Sequence, residues 1–287
     1  MSAAPAPASF DLPAGDPAAA RAGRRVRGDA LVPSDARQGV ILCHGFKGFA
    51  RWGFFPHLAE RLAALGLAVV SFDSSGSGVG PDRETFTELD AFAENLYARD
   101  LADLAAVERH ARAEGWVRDG YGLFGHSRGG GLAVLHAGGA AGAPPAVGAL
   151  VTWSAIATVL RWSEADRARW RAEGQLEVPN SRTGQLLRLD VAALDEVEAL
   201  HATTLDVAAA AARVEAPWLI VHGTADETVE VESAARLHAA GPRRSTLRLV
   251  EGADHTFGAR HPMGSPPPAA DDAIRATTDF FVRHLLG

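Results

Sequence analysis

The chain has 287 residues, 47% of them hydrophobic, and sets 28 Lys and Arg against 35 Asp and Glu for a net charge of −7. That is ample core material for an α/β chain, which at this length is often one domain. The acidic balance argues against a broad nucleic-acid or anionic-membrane surface. The single cysteine, Cys43, leaves no intramolecular disulfide to form, which fits a reducing compartment.

Residues 1–25 are rich in Ala and Pro and lack the apolar core of a signal peptide. They predict a loosely ordered start to a soluble, cytoplasmic protein, since no stretch approaches the ~20 apolar residues of a membrane helix. Residues 26–32 predict an early strand and residues 39–43 a buried one, with Cys43 an ordinary core thiol. Phe55, Leu58, Leu62 and Leu65 share a helical face that stops at Gly66. Residues 67–72 are the next strand, running into the turn-rich Asp73-Ser74-Ser75-Gly76-Ser77-Gly78. One long helix is expected over about 89–114, then strands at 121–125 and 147–152 with a helix opening near Ser127 between them.

Residues 154–213 break the rhythm, with helical pieces and no clear strand, and predict a helical cap inserted over the sheet's C-terminal edge. Ser163 and Asp166 mark a helix start there, and Val191, Leu194, Val197 and Leu200 share a helical face. Alternation resumes with a strand at 217–222, a helix at 231–240, a strand at 246–250 and a helix at 271–286. Strand alternating with helix predicts a mostly parallel central sheet covered on both faces, its core formed by residues 26–153 and 214–287.

A serine hydroxyl needs a base, a group to orient that base, and donors for the oxyanion. Gly125-His126-Ser127-Arg128-Gly129 lies between a strand and a helix, where Gly-x-Ser-x-Gly makes a sharp elbow that projects the serine. Five letters alone could be a Gly-rich loop; the flanking strand and helix argue for the elbow. Asp226 follows the strand at 217–222 and is the candidate acid, with Glu227 its rival and a helix-capping turn its structural reading. His255 follows the strand at 246–250 and is the candidate base, in the order Ser, acid, His. His126 should point away because of the elbow, Asp254 reads as a turn residue, and His44 as a loop-shaping one. The oxyanion donors are assigned to the backbone N–H groups of Phe46, in His44-Gly45-Phe46-Lys47-Gly48, and of Arg128. The sequence has no His-Glu-x-x-His, Cys pair or Walker-type loop, so no metal and no cofactor are expected.

Together with His222-Gly223-Thr224-Ala225-Asp226 and Gly252-Ala253-Asp254-His255, these motifs resemble the α/β-hydrolase superfamily over about residues 26–287. Within it they are similar to bacterial carboxylesterases akin to cinnamoyl (feruloyl) esterases, with dienelactone-hydrolase-like and oligopeptidase-like relatives. The resemblance implies the α/β-hydrolase fold, a Ser–His–Asp triad of Ser127, His255 and Asp226, an acyl-enzyme and no cofactor. It also implies a helical cap before the acid-bearing strand. Dienelactone hydrolases proper use a cysteine where this chain has Ser127, and dehalogenases an aspartate, which disfavours both chemistries.

The expected activity is therefore carboxylic ester hydrolysis on a small-molecule ester, with no nucleic-acid or membrane partner and with a homodimer left open. Trp153, Trp162 and Trp170 would favour aromatic or apolar acyl groups if they face the site; otherwise they pack the cap. Arg161, Arg167, Arg169, Arg171, Arg182 and Arg188 include a candidate for a substrate carboxylate, the rest being solvated helix faces. A peptidase or amidase, an acyl-CoA thioesterase needing a basic entrance, and a non-catalytic binding protein on the same scaffold are the rivals.

Overall fold

The computed structural model describes residues 6–140, 142–180 and 183–287. In chain order its elements are β1 (Ala8–Pro13), α1 (Pro17–Arg21), β2 (Arg25–Leu31), β3 (Gly39–Cys43), α2 (Phe55–Ala64), β4 (Ala68–Asp73), α3 (Leu89–Ala93), α4 (Tyr97–Ala113), β5 (Tyr121–His126) and α5 (Arg128–Ala137). There follow β6 (Val147–Trp153), α6 (Glu164–Glu173), β7 (Gln175–Pro179), β8 (Leu186–Asp190), α7 (Val191–Leu200), α8 (Val207–Ala211), β9 (Trp218–Gly223), α9 (Val231–Ala240), β10 (Ser245–Val250) and α10 (Pro268–Leu285).

Among the described residues the main sheet has eight strands in the order β1-β2-β4-β3-β5-β6-β9-β10. The pairs β1–β2 and β2–β4 are antiparallel and the rest parallel. The parallel strands are apolar on both faces because helices cover both. Val40, Leu42, Phe124, Val151 and Val221 point into the layer under α2 and α10. Ile41, Cys43, Leu123, Leu150 and Ile220 point into the layer under α4, α5, α8 and α9, so inward residues alternate along each strand. The chain leaves β3 towards β4 and leaves β5 towards β6. The loops after β3 and β5 therefore part, opening the crevice at the strands' carboxyl ends where α/β sheets bind ligands.

Three segments differ from the sequence reading. Residues 8–21 are not loose: β1 zips along β2, with Ala8 opposite Ala30 and Pro13 opposite Arg25. Phe10 is buried over Gly28, Asp16 caps α1, and the Gly15 N–H donates to Asp103 at 2.7 Å. A six-residue edge strand whose inward face has only Phe10 and the half-buried Leu12 leaves little periodic signal. The long helix over 89–114 is broken instead, because Leu96 is extended (φ −122°, ψ 148°) and Asn95 turns its amide onto the Gly76 carbonyl at 2.9 Å. Finally, residues 154–213 hold a two-stranded antiparallel sheet, β7–β8, beside helices α6, α7 and α8. Leu187 and Leu189 are buried, whereas the alternate residues Leu186 and Arg188 face out. Among the described residues no helix is long and apolar enough to cross a membrane.

Candidate active site

Ser127 stands between β5 and α5 with φ 57° and ψ −121°, a left-handed backbone that costs a serine about 1–3 kcal/mol. The elbow is tight because its glycines are needed: a Cβ on Gly125 would meet the Gly129 carbonyl oxygen at 2.2 Å, and one on Gly129 would meet the His44 carbonyl oxygen at 2.3 Å. The second contact also brings the start of α5 against the loop after β3. Arg128, the first residue of α5, thereby lies beside the loop that carries Phe46. First-turn N–H groups of a helix have no intrahelical acceptor, so the Arg128 N–H is available to an oxyanion.

Ser127, His255 and Asp226 come together from the ends of β5, β10 and β9. His255 Nε2 lies 3.0 Å from Ser127 Oγ, and His255 Nδ1 lies 2.8 Å from Asp226 Oδ2. With Asp226 ionised, the Nδ1–H donates to the carboxylate and leaves Nε2 free to accept the serine proton. Asp226 also accepts from the Thr228 and Val229 N–H groups at 2.9 Å each, so its turn-forming role and its contact with His255 coexist. Burial pushes the Asp226 carboxyl up, but the hydrogen bond and charge of His255 and the Val229 N–H outweigh it and hold it at about 2. Glu227, its rival, is exposed to solvent.

The neighbouring histidines have other partners. His126 Nε2–H donates to the His255 carbonyl at 3.0 Å; burial, then the neighbouring His255, pulls its ring down to about 3 and keeps it neutral. It thus steadies the His255 loop. His44 Nδ1–H donates to the Gly45 carbonyl at 2.8 Å, while its Nε2 accepts from the Ser74 N–H at 3.3 Å, which ties the loops after β3 and β4 together. His222 is fully buried, donates through Nε2 to the Val229 carbonyl at 2.8 Å, and lies 3.4 Å from Asp226 Oδ2. Burial lowers its pKa. Asp254 accepts from the Thr256 and Gly258 N–H groups, a turn role.

A clamp around Arg128 carries no signature in the sequence. Its guanidinium gives two N–H bonds to Asp100 Oδ2, at 3.0 and 2.8 Å, and lies 3.6 Å over the Tyr97 ring and 6.0 Å from the Phe46 ring. The residues assigned as oxyanion donors are therefore in contact through side chains. Glu196 of α7 accepts the Tyr97 and Ala98 N–H groups at 2.7 and 2.8 Å, capping the helix on which Tyr97 and Asp100 sit.

Above Ser127 opens a cavity of about 890 Å³, lined by Ser127 and His255 and by Phe46, Trp52, Phe55 and Trp162 among others. Trp162 reaches it; Trp170 is buried behind, donating to the Leu189 carbonyl, and Trp153 is buried in the core, bonded to Thr277. Of the cap arginines, Arg161 lines it, whereas Arg167, Arg169 and Arg171 pair with Glu198, Asp166 and Asp195. Arg188 is exposed, and Arg182 lies outside the described residues. Among the described residues no three His, Cys, Asp or Glu side chains are placed to hold a metal ion.

The profile of the family described as serine aminopeptidase, S33, matches residues 34–258. No curated protein matches the sequence. Among solved structures the chain is similar to Est1E from Butyrivibrio proteoclasticus with ferulic acid bound, at 19% identity, 92% of this chain, 96% of that chain and a TM-score of 0.67. It is similar to a monoacylglycerol lipase of Paleococcus ferrophilus at 18% identity, 97% of this chain, 99% of that chain and a TM-score of 0.66. It is also similar to a dienelactone hydrolase of Anabaena variabilis at 16% identity, 99% of this chain, 100% of that chain and a TM-score of 0.61.

Proposed function

Because the chain belongs to the hydrolase family described as serine aminopeptidase, S33, and has the α/β-hydrolase fold, we propose that it is a serine esterase acting through Ser127, His255 and Asp226. His255 Nε2 takes the Ser127 proton as Oγ attacks the ester carbonyl. The oxyanion forms against the N–H groups of Phe46 and Arg128. His255 then protonates the departing alcohol, and in the second step activates the water that releases the acid from Oγ. Asp226 holds the imidazole tautomer and stabilises the imidazolium. The observation that carries this reading is the unbroken line from Ser127 Oγ through His255 to Asp226, at 3.0 and 2.8 Å.

The apolar and aromatic lining, Phe46, Trp52, Phe55 and Trp162, suits an aromatic or medium-sized apolar group on the ester. The family's description favours a second reading, an aminopeptidase. Such an enzyme must hold a protonated amine, and the cavity lining carries Lys47, Arg128, Arg161 and Arg260 against one carboxylate, Glu177. The charge therefore supports ester over aminopeptidase chemistry.

A fluorophosphonate is expected to label the folded protein once, at Ser127. Ser127→Ala should abolish labelling and lower ester hydrolysis by about four to six orders of magnitude. An unlabelled wild type, or an active Ser127→Ala, would overturn the proposal. Faster turnover of an aminoacyl anilide than of the matching ester would move the reading to the peptidase.

A further inference from the structure

The protein is acidic overall, with a net charge of −7, yet the cavity over Ser127 is lined by four cations and one carboxylate. Elsewhere Arg27, Arg51, Arg83, Arg99 and Arg112 each stand within ion-pair distance of an Asp or Glu. In the cavity Arg128 is neutralised in that way, by Asp100 at 2.8 Å. Lys47, Arg161 and Arg260 are not: among the described residues none has a carboxylate within ion-pair distance.

Two of the three are held by carbonyl oxygens, which orient a cation without cancelling its charge. Lys47 Nζ donates to the Pro179 carbonyl at 3.0 Å, and burial lowers its pKa. Arg161 donates to the Thr228 carbonyl, two residues from Asp226, and its charge also acts on Tyr97 across the cavity. A guanidinium anchored through one nitrogen keeps N–H donors for a planar anion. The three cations come from three segments: the loop after β3, the segment after β6 and the loop after β10. All three line the cavity that holds Ser127, together with Phe46, Trp52 and Trp162, and Arg161 and Arg260 stand at its exposed side. A cleft of one sign with apolar walls focuses its field and concentrates ligands of the opposite sign.

We propose that the substrate is an ester carrying an anionic oxygen group, a carboxylate or a phosphate, which Arg161, Arg260 and Lys47 hold while Ser127 attacks the ester carbonyl. This rests on the serine-esterase reading and specifies its substrate class. The ester is amphipathic, with an apolar or aromatic body against Trp52, Trp162 and Phe46 and a charged end towards the cations.

The test uses three pairs of esters matched in size, each pair differing only in whether one end is anionic or a neutral amide. The anion is a carboxylate on the acyl part, a carboxylate on the alcohol part, or a phosphate on the alcohol part. Hydrolysis is followed by acid release. At least one pair is expected to favour the anionic member by about three- to tenfold in kcat/KM at low ionic strength. That ratio should fall towards one in ~0.5 M salt, and in Arg161→Gln and Arg260→Gln. Arg260 makes no side-chain hydrogen bond or ion pair among the described residues, so a fallen ratio in Arg260→Gln reports charge and not a broken loop. The pair that shows the preference locates the anion and distinguishes carboxylate from phosphate. Preference for the neutral member in all three pairs, or a ratio indifferent to salt and to both substitutions, overturns the inference while leaving the esterase intact. Failure of the esterase reading looks different: no member of any pair is turned over, or Ser127→Ala turns them over as wild type does.

Discussion

Ser127 is held in a backbone conformation that serine disfavours, and Asp226 in a charge state that burial alone would oppose. Both are maintained by neighbours: the close-packed glycines of the elbow in one case, His255 and the Thr228 and Val229 N–H groups in the other. For Asp226 the consequence is measurable in stability. Its carboxyl titrates at about 2 in the folded chain against 3.8 ordinarily, so the unfolded chain binds the proton first as pH falls. The stability that the ionised group contributes is whole above about pH 4 and is lost as the pH falls through about 2. The difference in unfolding free energy between wild type and Asp226→Asn should therefore shrink as the pH falls from about 4 through about 2. A gap that stays constant to pH 2 would contradict the paired state. At neutral pH the same substitution is expected to lower kcat by about 10³–10⁴-fold through the wrong imidazole tautomer.

The secondary elements explain both what could be read in the sequence and what could not. The meeting of Ser127, Asp226 and His255 was legible because each follows a strand, so local patterning places them at one edge of the sheet. The clamp on Arg128 was not, because Asp100, Tyr97 and Glu196 carry no motif and meet only through tertiary packing. The break before α4 was illegible for the same reason: helical spacing runs through residues 89–114, and the competing partner for Asn95 is Gly76, nineteen residues back. The hairpin β7–β8 was missed because two five-residue strands offer too few alternations to outweigh the helical pieces around them. Glu196 joins the cap to this machinery by capping α4, and burial raises its pKa even though it accepts two N–H groups. Glu196→Ala leaves those donors unsatisfied and is expected to cost about 1–3 kcal/mol, read as a lower denaturation midpoint. Glu196→Gln keeps an acceptor and should recover most of that loss. Equal midpoints for the two variants would show that the cap bond is not what matters.

Across the whole molecule, one edge of the sheet is formed by the segment that composition made look loosely ordered. Removing residues 1–13 would strip β1 from β2, expose the backbone of Arg25–Leu31 as a new edge, and lose the burial of Phe10. Phe10 alone is worth about 2 kcal/mol, or about 3 °C in Tm for a chain of 287 residues. A truncated protein should melt lower by at least that much and self-associate through the bare edge in size-exclusion chromatography. An unchanged Tm would mean that β1 contributes nothing. Among the contacts between the cap and the core, the Lys47 ammonium beside Phe46 holds the last carbonyl of β7. The hairpin that lines the cavity and the loop that carries Phe46 are thus tethered, so a guest large enough to displace the hairpin would strain that loop.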